Sequence, residues 1–230
     1  MIPIVMSHLT ILKKNEVYLQ IESDPHVFYE LSDQFTFELP GAKFMPQYRK
    51  RYWDGKIRLF NINNGQIYVG LLDKIKKFCE DHDYSYSFVD NEYYGTPFEV
   101  NESISYEGVK DYITSISKYA PREYQIEGVY DALRHNRKLL ISPTASGKSL
   151  MIYSIVRYYV ERGENTLIVV PTTSLVEQMY KDFADYGWDV GSFCHKIYAG
   201  KERETDSQVI ITTWQSIYKL PRKYFKRFSV

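Results

Sequence analysis

Residues 142–149 read SPTASGKS, directly after the apolar run KLLI. A glycine, a lysine and a hydroxyl residue heading a helical pattern are what phosphate binding needs. Backbone N–H groups in the first turn of a helix have no intrahelical partner and can bind phosphate oxygens. Gly147 permits close approach of the chain, Lys148 can reach β- and γ-phosphates, and the Ser149 hydroxyl can ligate magnesium. The backbone of Thr144, Ala145 and Ser146 completes the anion cradle. The generic G-x-x-x-x-G-K-[ST] pattern would have glycine where Ser142 stands, so the string alone is also compatible with a polar turn that binds nothing. Its context favours the phosphate loop: RKLLIS reads as a strand before it and KSLMIYSIVRYYVERG as a helix after it.

Other polar residues fall where a nucleotide or nucleic acid would use them. Gln125, in REYQ, precedes Lys148 by 23 residues. Its amide can both donate and accept, as the edge of adenine requires, with Arg122 orienting neighbouring groups. Tyr124 packs near the base or in the core. Thr172 and Thr173 follow the apolar run NTLIVVP and open the helical pattern TSLVEQMYKDFADYG; they cap that helix or hold a backbone phosphate. Thr213, the last residue but one of QVIITTW, stands in the corresponding position.

Charge is balanced overall, with 29 basic and 29 acidic residues, but unevenly spread. The stretch KFMPQYRKRYWDGKIR, residues 43–58, carries six basic residues and one acid among interleaved aromatics. Lys43, Arg49, Lys50, Arg51, Lys56 and Arg58 are candidate phosphate contacts. The same stretch could be a solvated hairpin with its rings turned to the core, and Trp53 either stacks on a base or pins the Asp54-Gly55 turn. Residues 79–107 reverse the sign, with eight acids and no lysine or arginine. The last fourteen residues hold five basic residues and no acid, a pattern that an amphipathic helix burying Tyr218, Tyr224, Phe225 and Phe228 would also produce.

The elements that must position these residues divide the chain. Over residues 1–90 short strands and helices mix: EVYLQIES alternates with period two, Pro25 after Asp24 starts a helix, and Asp54-Gly55 and Asn64-Gly65 mark tight turns in a strand pair over residues 48–70. LLDKIKKFCEDH puts Leu71, Ile75 and Phe78 on one helical face, and SYSFV adds a strand. A small α+β domain is expected there. Residues 91–118 read as a linker and a connecting helix, YEGVKDYITSISKY. From 119 to 230 apolar strands alternate with amphipathic helices, which predicts an α/β domain with a mainly parallel sheet flanked by helices and a site at the carboxyl ends of its strands.

Composition narrows the class. Hydrophobic residues make up 44% of the 230 and tyrosine alone supplies 22, enough to build cores and to exclude global disorder. The two cysteines, Cys79 and Cys194, form no CxxC pair or zinc pattern, and no stretch approaches the roughly 20 apolar residues that span a bilayer. A protein of the cell interior is expected.

Taken in order, these segments resemble the superfamily 2 helicases. RxYQ at Arg122–Gln125 is similar to their adenine-recognising motif, SPTASGKS to motif I (which commonly has a small residue at the place of Ser142), PTTSLVEQ to motif Ia, and TTWQS to the nucleic-acid-contacting segment before motif II. RYWDGKIRLF, LLDKIKKFC, PTTSLVEQM and TTWQS further resemble the UvsW family of recombination helicases of T-even bacteriophages, over the whole chain. That resemblance implies a small N-terminal DNA-binding α+β domain followed by a first RecA-like domain, partial here. It also implies use of ATP and Mg2+, and DNA-binding roles for the basic patch and for Thr172, Thr173 and Thr213. An ATP-dependent DNA helicase is implied, acting on branched or duplex DNA and on RNA–DNA hybrids in recombination, repair and replication. It would work as a monomer, without a membrane, in the cytoplasm of an infected bacterium. No D-E-x-H box follows ITTWQS within residues 1–230, so this stretch is expected to bind DNA and, weakly, nucleotide without hydrolysing it. A small kinase or other phosphate-loop enzyme, and a pure DNA-binding module, are the alternatives.

Overall fold

The computed structural model describes residues 7–92, 94–95, 100–135, 137–198 and 205–230. It divides into two compact units, Met1–Glu99 and Val100–Val230.

In the first unit, strands β1 (His8–Lys13) and β2 (Tyr18–Glu22) are joined by a turn whose backbone N–H groups at Val17 and Tyr18 donate to the Asn15 side chain. Helix α1 (Pro25–Gln34) has proline in its first turn, where the missing N–H costs nothing. Then come β3 (Thr36–Glu38), the single turn α2 (Pro46–Arg49), β4 (Lys56–Arg58), β5 (Phe60–Asn61), β6 (Gln66–Tyr68), α3 (Leu72–Asp81) and β7 (Ser85–Val89). The main sheet has the order β5-β6-β2-β1-β7, antiparallel except for the β1–β7 pair. Its buried face alternates along each strand (Leu9 and Ile11, Leu19 and Ile21) and meets Val27 and Leu31 of α1 and Leu72, Ile75 and Phe78 of α3. Gly65 is required at the β5–β6 turn. Its φ is +66°, and a Cβ there would lie 2.4 Å from the carbonyl oxygen of Ile21.

The basic stretch departs from the expected strand pair. Pro46 starts α2 through Tyr48 and Arg49, and β4 pairs instead with β3 in a separate two-stranded ribbon. Asp54-Gly55 is a turn, but it leads into β4 from an irregular segment rather than closing a hairpin. The Asn64-Gly65 turn joins β5 to β6 as its dipeptide predicts.

In the second unit, α4 (Tyr106–Ile116) is capped by Ser105, whose hydroxyl accepts from Gly108 N–H. The segment marked as a connector belongs to this core: Val109 and Ile113 are buried with Ile126, Val129 and Leu133 of α5 (Glu123–His135). Residues 93 and 96–99 of the expected linker lie outside the described residues. Helix α6 (Lys148–Val160), β8 (Thr166–Val170), α7 (Thr173–Asp185), α8 (Val190–Phe193), β9 (Cys194–Ile197) and β10 (Val209–Thr213) follow, then the short turns α9 (Trp214–Ile217) and α10 (Arg222–Phe225). Strands β8, β10 and β9 form a parallel sheet with β10 in the centre, which is why all five of its residues are buried. Tyr153 of α6 and Phe183 of α7 are fully buried in the same core as Val209 and Ile211, and the Tyr153 hydroxyl donates to Ile116 C=O at 2.8 Å, tying α4 to α6.

The strand expected over RKLLIS does not form. Residues 137–142 are irregular, and Leu139 and Ile141 are 82% and 90% exposed. Their apolar character reads as a buried strand, yet a strand exists only with a hydrogen-bonded neighbour. Both sides of β10 are occupied, and the outer edge of β8 is engaged by the last residues, with Leu167 N–H donating to Val230 C=O at 2.8 Å. The basic C-terminal run likewise forms no long helix: Tyr218 is exposed, while Tyr224, Phe225 and Phe228 are half-buried. No helix among the described residues is long and apolar enough to cross a membrane.

Candidate nucleotide and nucleic-acid sites

The SPTASGKS loop heads α6. Gly147 occupies the N-cap position with φ +74° and Ala145 also lies in the left-handed region at φ +64°, so two successive kinks curl the loop over the helix end. Three side chains hold this curl. Gln125, only 6% exposed, donates from Nε2 to Ser146 C=O at 2.9 Å, while its Oε1 accepts from Arg122 N–H at 2.8 Å. The Tyr124 hydroxyl donates to the same Ser146 carbonyl at 2.8 Å, and Arg122 donates to Tyr124 Oη at 3.2 Å. Ser142 and Ser146 share a hydrogen bond of 2.5 Å between their hydroxyls.

Lys148 is exposed, and its ammonium donates to the carbonyls of Pro143 and Ser142 at 2.6 and 3.2 Å. The cation thus lies over its own loop, where an anion bound to that loop would compete for it. Ser149 is half-buried and hydrogen-bonds Tyr186, whose hydroxyl burial keeps above its ordinary pKa. A cavity of about 680 Å³ opens beside the loop, lined by Ser142–Ser146, by Arg122, Tyr124 and Gly128 on α5 and its lead-in, and by Leu139–Ile141. That volume lies in the usual range for small-ligand sites. Arg122, Thr144, Ala145 and Ser146 line it directly, whereas Gln125 stands behind the loop. Sequence reasoning placed these residues together; it did not show that Tyr124 and Gln125 converge on one carbonyl. The signal was available only as the spacing of YQ from SG.

At the carboxyl edge of the sheet, Thr213 stands opposite Val170 in register, so 171–173 and 214–216 emerge side by side. The three threonines differ. Thr172 caps α7, its hydroxyl accepting from Leu175 N–H at 3.3 Å. Thr173 is exposed in the first turn of that helix. Thr213 is buried, and its hydroxyl pairs with that of Ser216 at 2.9 Å, so its side chain faces inward and the exposed groups beside it are Trp214 and Gln215.

In the first unit Lys43, Arg49, Lys50, Arg51, Lys56 and Arg58 are all exposed. Lys43, Arg49 and Arg51 line a concavity of about 620 Å³ with Tyr48, Tyr52, Trp53 and Asp54. Lys50, Lys56 and Arg58 lie outside it. Arg51 takes φ +57°, unusual for a residue with a side chain, at the end of α2. Arg58 is not a free cation: Asp54 accepts from both terminal nitrogens, at 2.5 and 3.2 Å, and the Arg58 guanidinium holds the Asp54 carboxyl down at about 2. Trp53 pins the turn, donating from Nε1 to Lys56 C=O at 2.8 Å, with its ring on the concave side. Asp54 was missed as a site residue because its turn role alone explained it.

A small α+β unit is followed by a parallel α/β unit in which a glycine- and lysine-bearing loop heads a helix, the arrangement of phosphate-loop proteins. Residues 9–90 match the family model for the N-terminal part of the DNA helicase UvsW, and residues 118–229 match that for the res subunit of type III restriction enzymes. The ATP-dependent DNA helicase uvsW of Enterobacteria phage T4 is 33% identical over 224 residues, covering 93% of this chain. The crystal structure of the UvsW helicase from bacteriophage T4 aligns with a TM-score of 0.80 at 30% identity, over 97% of this chain and 80% of that one. A second crystal structure of T4 UvsW gives 0.81 at 31% identity, over 97% of this chain and 46% of that one. The chain belongs to the UvsW helicase family. It spans 43% of the length of the curated relative it matches.

Proposed function

We propose that this chain is the nucleotide-engaging and DNA-gripping front part of an ATP-dependent helicase that remodels branched DNA. The carrying observation is the phosphate loop at the head of α6, with Lys148 exposed at its mouth and a ligand-sized cavity beside it. Residues 119–230 would bind ATP: the loop N–H groups and Lys148 take the phosphates, and Ser149 leaves Tyr186 to ligate Mg2+. Gln125, buried behind the loop, holds it in shape, and its amide would have to leave Ser146 and Arg122 to read the edge of adenine directly. Bound Mg-ATP supplies the free energy for movement along DNA; these residues bind and orient it. Without an acidic pair to position water, residues 1–230 bind nucleotide and do not turn it over, so robust DNA-stimulated ATPase activity from them would refute this reading.

Residues 1–90 would grip DNA phosphates through the basic patch, and Thr172 and Thr173 would contact a backbone at the sheet edge. The substrates are branched and duplex DNA, with RNA–DNA hybrids as a further class, in recombination and stalled-fork processing. The test is titration of forked and linear duplexes at two salt concentrations, with Arg49, Lys50 and Arg51 changed together to glutamine. Loss of three phosphate contacts should weaken binding and flatten the logarithmic salt dependence by about 3. Unchanged binding would remove the patch from the site.

A further inference from the structure

Trp214 and Tyr218 carry no role in the site described above, yet they are the large aromatics most out of place at this edge of the sheet, 62% and 52% exposed. Trp214 follows directly on the carboxyl end of β10, one helical turn before Tyr218, and their ring centroids are 6.2 Å apart at 34°. The two rings thus form one shallow aromatic face on the surface. Lys219 Nζ lies 5.4 Å from the Tyr218 ring centroid. From Ser207 to Val230 the chain has five basic residues and no acid, and Lys219, Arg222, Lys223 and Lys226 are all exposed. Among the described residues, Arg227 is the one of the five committed to the fold, donating to the carbonyls of Thr205 and Ser207.

Exposed rings within a cationic segment fit one class of partner. A protein or second copy would ask for an apolar surround, whereas unpaired bases offer π-faces and their phosphates meet the lysines. Duplex DNA buries its base faces. We propose that Trp214 and Tyr218 are a stacking platform for the bases of single-stranded nucleic acid, with Lys219, Arg222 and Lys223 holding the adjoining phosphates. This deepens the helicase reading and rests on its assumption that nucleic acid meets this edge. It transfers the contact from the buried Thr213 hydroxyl to the side chain next to it.

The test uses the 230-residue chain carrying Trp53→Phe, so that Trp214 emission is read against the buried Trp188. The probes are an oligothymidylate of about twelve nucleotides and an abasic phosphodiester strand of the same length, within the span such sites cover. Quenching of Trp214 by the oligothymidylate alone is expected. Trp214→Ala should weaken its binding about tenfold, while Trp214→Phe keeps most of it and the abasic strand binds both proteins equally. Equal oligothymidylate binding by the parent and Trp214→Ala would overturn the platform and leave the helicase reading standing. No strand binding by any form would overturn both. A parent that sediments as a dimer and a Trp214→Ala protein that sediments as a monomer would show instead a contact between copies, and would also overturn the proposal.

Discussion

Gly147→Ala should distort the phosphate loop through Gln125. A Cβ on Gly147 would stand 2.2 Å from Gln125 Nε2, and the backbone there has φ +74°. Placing alanine in the left-handed region costs about 1–2 kcal/mol. Displacing the Gln125 amide removes its buried bond to Ser146 and its part-buried bond from the Arg122 N–H, a further loss of about 1–3 kcal/mol. The sum is about 2–5 kcal/mol in the single variant. In a Gln125→Ala background only the backbone part, about 1–2 kcal/mol, should remain, leaving a coupling of about 1–3 kcal/mol. Urea unfolding followed by the emission of Trp188, which lies in the core of the second unit, measures all four corners in a Trp53→Phe, Trp214→Phe parent. A Gly147→Ala cost that is the same in both backgrounds would refute the steric link between loop and helix.

Three further outcomes follow from burial. Thr166 opens β8 with its hydroxyl buried and without a hydrogen-bond partner among the described residues, so Thr166→Val, which keeps the shape, should stabilise the second unit by about 1 kcal/mol in the same urea assay. Burial pushes the Cys79 thiol up to about 11 and the Cys194 thiol up to about 12. Both should resist thiol reagents at pH 8 until the chain unfolds. Because the native state holds these protons more tightly than the unfolded chain, whose thiols titrate near about 8.5, their stabilising contribution is full below that pH and is lost as pH rises toward 11–12.

The helices of the second unit were legible because their apolar residues recur at helical spacing over a dozen or more positions, and Pro25 and Asn64-Gly65 marked local geometry that needs no distant partner. Strands depended on neighbours that the sequence does not name. KLLI carries the right residues for a buried strand but pairs with none of the described strands, whereas His8–Lys13 and Cys194–Ile197 form strands that a short mixed pattern concealed. In the site, GKS declared itself through residue type. The roles of Tyr124 and Gln125 on Ser146 needed the fold, because sequence separations of 22 and 21 hide a 3 Å contact. Thr213 failed as an exposed contact for a related reason: alternation puts it on the edge, but β10 lies between two strands and buries its whole length.

The central claim is that the head of α6 is a nucleotide site. Its most direct test is equilibrium binding of a fluorescent ATP analogue to the 230-residue chain, with and without Mg2+, for the parent and for Lys148→Ala. Saturable binding that Mg2+ strengthens and Lys148→Ala abolishes is predicted. Equal binding by the two proteins, or none by the parent, would contradict it.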